Sequence, residues 1–125
     1  MTTIRYVLPW PPSVNHYWRV FRNRAILSSE GRQYRTRVCS MLAGAQPLLG
    51  HLRVKVDAYP PDNRRRDIEN VLKALLDAME HGGVYMDDNQ VKDLHIVWRG
   101  KAPNGRVEVE IEPMEDRREG SVTKT

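Results

Sequence analysis

Apolar residues recur along this chain at two spacings, every second position and every third or fourth. Ile4, Tyr6 and Leu8 alternate with Arg5 and Val7 and predict a first strand. Pro9-Trp10-Pro11-Pro12 ends it, because proline brings no N–H to a sheet. Residues 13–27 are polar and basic and read as a loop. Tyr34, Val38, Met41, Leu42 and Ala45 then share one helical face, predicting a helix over 29–45 with Ser28 as N-cap and Glu30 in the first turn. Gln46-Pro47 stops it. Leu52, Val54, Val56 and Ala58 alternate with charged residues in a second strand, and Pro60-Pro61-Asp62-Asn63 turns the chain. A second helix is expected over 67–81: Ile68, Val71, Leu72, Leu75 and Met79 on one arc, Glu69, Asn70, Lys73, Asp77 and Glu80 on the other, with Gly82-Gly83 closing it. Leu94, Ile96 and Trp98 form a third strand and Val107, Val109 and Ile111 a fourth. Turn residues 100–105 between them suggest an antiparallel hairpin. The order β-α-β-α-β-β predicts an α+β domain with one four-stranded mixed sheet and two helices packed on one face. Residues 1–113 make one domain, and 114–125, with little apolar content, read as a disordered tail.

Composition narrows the class. A chain of 125 residues holds one core and not two. It has no apolar run of the roughly 20 residues that span a bilayer, and no basic-then-apolar leader. Cys39 is the single cysteine, so an intrachain disulfide is excluded and a reducing compartment, the cytoplasm, is expected. The net charge of +4 hides an asymmetry. Residues 1–66 carry twelve Lys and Arg against three acids, a balance of +9, while residues 67–125 carry eight against thirteen, a balance of −5. A basic half suggests a nucleic-acid partner, although solubility alone also favours surface charge.

The candidate chemistry lies where the two halves meet. Arg64-Arg65-Arg66 runs into Asp67-Ile68-Glu69-Asn70, Lys73 follows, and Asp87-Asp88 comes after the helix. Cations beside clustered carboxylates suit a site that holds a polyanion and a hard divalent cation together, as phosphodiester hydrolysis requires. Asp67 and Glu69 diverge by about 200° on a helix, so they share an ion only if Asp67 lies at or before the N-cap. A plainer account fits the same residues: Asp caps helices, Glu complements their dipole, Asp-Asp-Asn makes turns, and Lys73 pairs with Glu69 one turn away. Zinc and nucleotide-motor chemistries find no support, since His16, His51, His81 and His95 lack ligand spacing and no Gly-rich phosphate loop is present.

Together, Leu8-Pro9-Trp10-Pro11-Pro12-Ser13 with Asn15 and Tyr17, the Arg64–Asn70 run with Lys73, Asp77-Ala78, and Asp87-Asp88 before Gln90-Val91 resemble the RusA family of Holliday-junction resolvases. The resemblance runs from about residue 4 to 112. It implies a Mg²⁺-dependent endodeoxyribonuclease of DNA recombination and repair, with Mn²⁺ as a possible substitute. It also implies a homodimer that nicks two opposed strands of a four-way junction and leaves 5′-phosphates. By position it makes Asp67, Glu69 and Asp88 the metal carboxylates and Lys73 the catalytic lysine, and leaves Asp87 as a turn residue. Glu69 stands where the family commonly has Asp, which lengthens that arm by about one C–C bond. Arg64, Arg65 and Arg66, the loop residues Arg19, Arg22 and Arg24, and Asn15 are candidate DNA contacts. Two other readings remain open: a non-catalytic junction-binding protein, and a nuclease of broader branched-DNA preference.

Overall fold

The computed structural model describes residues 3–114; the tail expected over 114–125 lies, beyond Met114, outside the described residues. Six strands and three helices follow in the order β1 (Ile4–Pro9), α1 (Val14–Tyr17), β2 (Trp18–Phe21), β3 (Arg24–Leu27), α2 (Ser29–Met41), β4 (Leu52–Tyr59), α3 (Ile68–His81), β5 (Val91–Trp98) and β6 (Arg106–Pro113). A one-turn 3-10 helix, Asp88–Gln90, precedes β5.

The fold is α+β around a four-stranded mixed sheet of order β1-β6-β4-β5. Strand β6 runs antiparallel to both β1 and β4, and β5 runs parallel to β4. Parallel neighbours need a long crossover, and α3 supplies it. The alternation read from sequence sets the faces. Leu52, Val54, Val56 and Ala58 of β4 and Val107, Val109 and Ile111 of β6 are buried in one cluster with Tyr34 and Val38 of α2 and Ala74, Leu75, Ala78 and Met79 of α3. The intervening residues form cross-strand ion pairs, Arg53 with Asp93 and Glu112, and Arg5 with Glu110.

Several expectations are corrected. The third and fourth long strands do not form a hairpin, because β4 lies between β5 and β6. The connection crosses the end of β4 instead, with Arg99 donating to the Ala58 carbonyl and Ala102 to that of Pro60. Alternation places a strand's faces but carries no information about its neighbours. The segment 13–27 is not an irregular loop: it holds α1 and the antiparallel β2–β3 hairpin. Its two-residue turn puts both Arg22 (φ 52°) and Asn23 (φ 61°) in the left-handed region. Arginine there is unusual, so the turn had little sequence signal. Helix α2 ends at Met41 and not at Ala45, the chain leaving through Gly44 at φ 88°. Met41 and Ile68, both assigned to apolar arcs, are exposed.

Candidate nuclease site

Asp67 is the N-cap of α3, in extended conformation (φ −89°, ψ 125°), and its side chain accepts from the Glu69 amide at 3.2 Å. This is the non-helical placement that lets Asp67 and Glu69 lie near one another. Both are exposed, as is Lys73 one turn on. The ion pair of α3 runs elsewhere, from Asp77 to Arg35 at 2.8 Å, and His81 Nε2 lies 3.7 Å from the other Asp77 oxygen.

Beside Asp67 opens a cleft of about 600 Å³ between the Pro9–Ser13 segment, α2 and the arginine run. Trp10, His16, Arg37, Arg64, Arg65 and Arg66 line it together with one carboxylate, Glu30, and a smaller pocket joins Arg65 and Arg66 to Asp67 and Asn70. The three arginines differ. Arg66 lies over the Trp10 ring at 5.5 Å and pairs with Asp62 at 2.9 Å, so its charge is compensated and its position fixed. Arg64 pairs more loosely with Asp62, at 3.4 Å. Hydrogen bonds from the Arg64 amide and then from Arg66 hold the Asp62 carboxyl below its usual range. Arg65 and Arg37 have no carboxylate partner among the described residues, which leaves them available to a polyanion. Arg37 and Gln33 were not singled out from the sequence, where α2 was read for its apolar face, and His16 was weighed there only as a metal ligand.

Asp88 stands at the opposite end of α3. Its amide donates to Glu80 at 2.8 Å, and Glu80, Asp87 and Asp88 offer carboxylate oxygens within 4.8 Å of one another. An α-helix rises about 1.5 Å per residue, so Asp67 at the N-cap and Glu80 in the last turn are separated by about 20 Å. One chain thus places the Asp67 carboxylate on the Glu69 amide, separately gathers Asp88 with Glu80 and Asp87, and does not bring Asp88 to Asp67. The second cluster is partly engaged in local structure, since Asp87 caps the 3-10 helix in a capping box closed by Gln90. Partial burial of the carboxyl, then the charges of Glu80, Asp87 and Asp77, push Asp88 above the ordinary aspartate range. Such unrelieved like charge attracts a cation. Glu80 was placed on a solvated arc in the sequence reading, and nothing in its spacing ties it to Asp88.

Arg19, Arg22 and Arg24 lie on the β2–β3 hairpin, fully exposed, and Asn15 lies on α1 at its base. The segment at α1 touches both this region and the cleft: Ser13 and His16 face the cleft, while Val14 and Asn15 line a groove beside Trp18, Arg19 and Val20.

Comparison with known proteins identifies the family. The family model for the endodeoxyribonuclease RusA matches residues 9–112. The chain is 38% identical over 118 residues to the crossover junction endodeoxyribonuclease RusA of Enterobacteria phage HK97, covering 92% of this chain and 98% of that one. The proteins of the same name from Enterobacteria phage 82 and from Escherichia coli strain K12 are each 38% identical over 117 residues, covering 91% of this chain and 98% of theirs. The match takes in the cleft, the arginine run and both carboxylate clusters, and the chain belongs to the RusA endodeoxyribonuclease family.

Proposed function

We propose that this protein is a structure-selective endodeoxyribonuclease that resolves four-way DNA junctions by paired nicking, with Mg²⁺ or Mn²⁺ as cofactor. The observation that carries the reading is the arginine-lined cleft opening beside the Asp67 N-cap, on a chain of this family. Residues 1–113 form the catalytic domain, both long helices cover one face of its sheet, and it works in the cytoplasm. Arg37 and Arg65 bind the phosphate backbone, Arg64 more weakly, and Lys73 stabilises charge developing at the scissile phosphate.

The distance between the two acidic clusters suggests how the site is completed. We infer a homodimer in which Asp67 and Glu69 meet Asp88 of the partner subunit, so that two equivalent sites arise across a twofold axis. Hard oxygen donors of this kind suit Mg²⁺ or Mn²⁺. Bound there, the ion would neutralise phosphate charge and ease deprotonation of the attacking water. Two such sites match the two opposed strands of a junction.

The test uses Asp67→Asn and Asp88→Asn proteins, separately and after mixed refolding, on a labelled four-way junction, a flap and a linear duplex with Mg²⁺. Each variant alone is expected to be inactive on every substrate. In mixed dimers one site carries both substitutions and the other none, so nicking of one strand returns in roughly half of the dimers. Inactive mixtures with proven subunit exchange would refute the shared site. A wild-type protein that cuts the flap or duplex as fast as the junction would refute junction resolution.

A further inference from the structure

We propose that the β2–β3 hairpin is a branch-point wedge: Phe21, beside its turn, inserts where the arms of a junction meet, while Arg19, Arg22 and Arg24 hold the surrounding phosphates. The inference rests on the junction-resolvase reading and adds to it the residues that select a branch over a continuous duplex.

Two large apolar side chains stand out from the strand end beside the turn, on opposite faces of the hairpin. Val20 is 77% exposed and Phe21 49%. The Arg19 and Arg22 guanidinium groups lie 5.7 and 5.2 Å from the Phe21 ring centre, which makes a cationic collar around an aromatic blade. Neither of these arginines nor Arg24 has a carboxylate partner among the described residues, whereas Arg35, Arg53, Arg64, Arg66, Arg99 and Arg106 each have one. Three uncompensated cations around the tip oppose contact with a second copy across a twofold axis, where like charges would face each other. They favour a polyanion.

The hairpin is also built to keep its shape under load. Its tight turn matches strand twist through two left-handed residues, Arg22 and Asn23. Its root is held by Tyr17, fully buried, whose carbonyl accepts from Ser28 at 2.9 Å and whose hydroxyl donates to Asp77. Ser13 and His16 border the cleft while Val14 and Asn15 border the groove beside the hairpin, so the hairpin lies next to the surface on which Arg37 and Arg65 would seat DNA. Apolar side chains inserted at a base step must unstack it, and a branch point, where stacking is already interrupted, resists this less than a continuous helix does.

The test places 2-aminopurine beside the branch of an immobile junction and adds wild-type, Phe21→Ala, Val20→Ser/Phe21→Ala and Phe21→Trp proteins in EDTA. Wild type should raise the fluorescence, Phe21→Trp should retain the rise, and both alanine-bearing variants should lose it. Junction affinity of those variants should fall about tenfold, with duplex affinity nearly unchanged. An unchanged signal in the double variant, or no rise with wild type, overturns the wedge. So does a double variant that sediments as a monomer while wild type is a dimer, since the tip would then be a contact between copies. If wild type opens the branch through Phe21 yet cleaves no branched substrate with Mg²⁺, the wedge stands and the resolvase reading fails.

Discussion

Tyr17 and Asp77 are sixty positions apart, and the Tyr17 hydroxyl donates to the Asp77 carboxylate, which also accepts two hydrogen bonds from Arg35. Burial, followed by this bond to Asp77, pushes the Tyr17 phenol far up, so it remains a donor throughout the working range. The trio ties α1, α2 and α3 together under the hairpin root. Asp77→Ala strands a half-buried guanidinium and should cost about 2–3 kcal/mol. Tyr17→Phe leaves Asp77 with Arg35 and should cost about 1–2 kcal/mol. Urea denaturation of both variants checks the order, and an equal loss would mean that Arg35 contributes nothing.

Gly31 sits where α2 passes the carbonyl of Tyr17. A Cβ at this position would overlap that backbone oxygen and touch Leu27 Cδ1 at 3.0 Å. Alanine gains about 1 kcal/mol in helix propensity. The clash is with backbone that cannot swing aside, and overpacking typically costs about 1–3 kcal/mol. Gly31→Ala should therefore lower the melting temperature, and a stabilised variant would show that the helix slides away from α1.

DNA affinity should fall unequally across the arginine run. Arg65→Ala should reduce the slope of log affinity against log salt by about 0.9, one phosphate's share. Arg64→Ala should reduce it by less, since Asp62 already compensates part of that charge. Equal slopes for wild type and the Arg65 variant would remove that residue from the interface.

Asp62 makes the same region pH-sensitive. Its folded carboxyl is held below the ordinary value of 3.8, so its contribution to stability is present above that value and is lost as pH falls through the folded pKa. Asp62→Asn should melt below wild type at pH 7, and the gap should close in strong acid. The variant should also bind duplex DNA with a steeper salt dependence, because Arg64 and Arg66 lose their counter-charge. A melting gap that persists unchanged at pH 2 would assign the effect to packing.

Asp88→Asn relieves repulsion with Glu80, Asp87 and Asp77. Without divalent metal it should melt slightly above wild type, by about 1–3 °C. Adding Mg²⁺ should stabilise wild type and leave the variant unmoved. Junction binding should survive while cleavage is lost. Cleavage at the wild-type rate would remove Asp88 from the reaction.

How much of this was legible in the residues can be traced element by element. Period-two alternation gave β1, β4 and β6 and their buried faces, and Ser28 and Asp67 announced two helices, because each of these signals is local. The neighbours of β6 were not legible, since a strand's alternation is the same whichever strand it joins. The hairpin was hidden by an arginine at a left-handed position, and Glu80 by a spacing that says nothing about a loop folding back onto the helix end. The capping role of Asp67 was foreseen as a condition for the site. The separation of Asp88 from it follows from the length of α3, which the sequence did predict, and was not drawn from it.

The central place of β6 has a consequence for synthesis on the ribosome. Of the described strands β1 emerges first, and its one hydrogen-bonding neighbour in the finished sheet, β6, emerges last. Until residues 106–113 leave the exit tunnel, β1 has nowhere to dock, and the β4 side that β6 will cover remains an open edge able to recruit foreign strands. The nascent chain is thus most prone to aggregate in the interval between the emergence of β4 and that of β6.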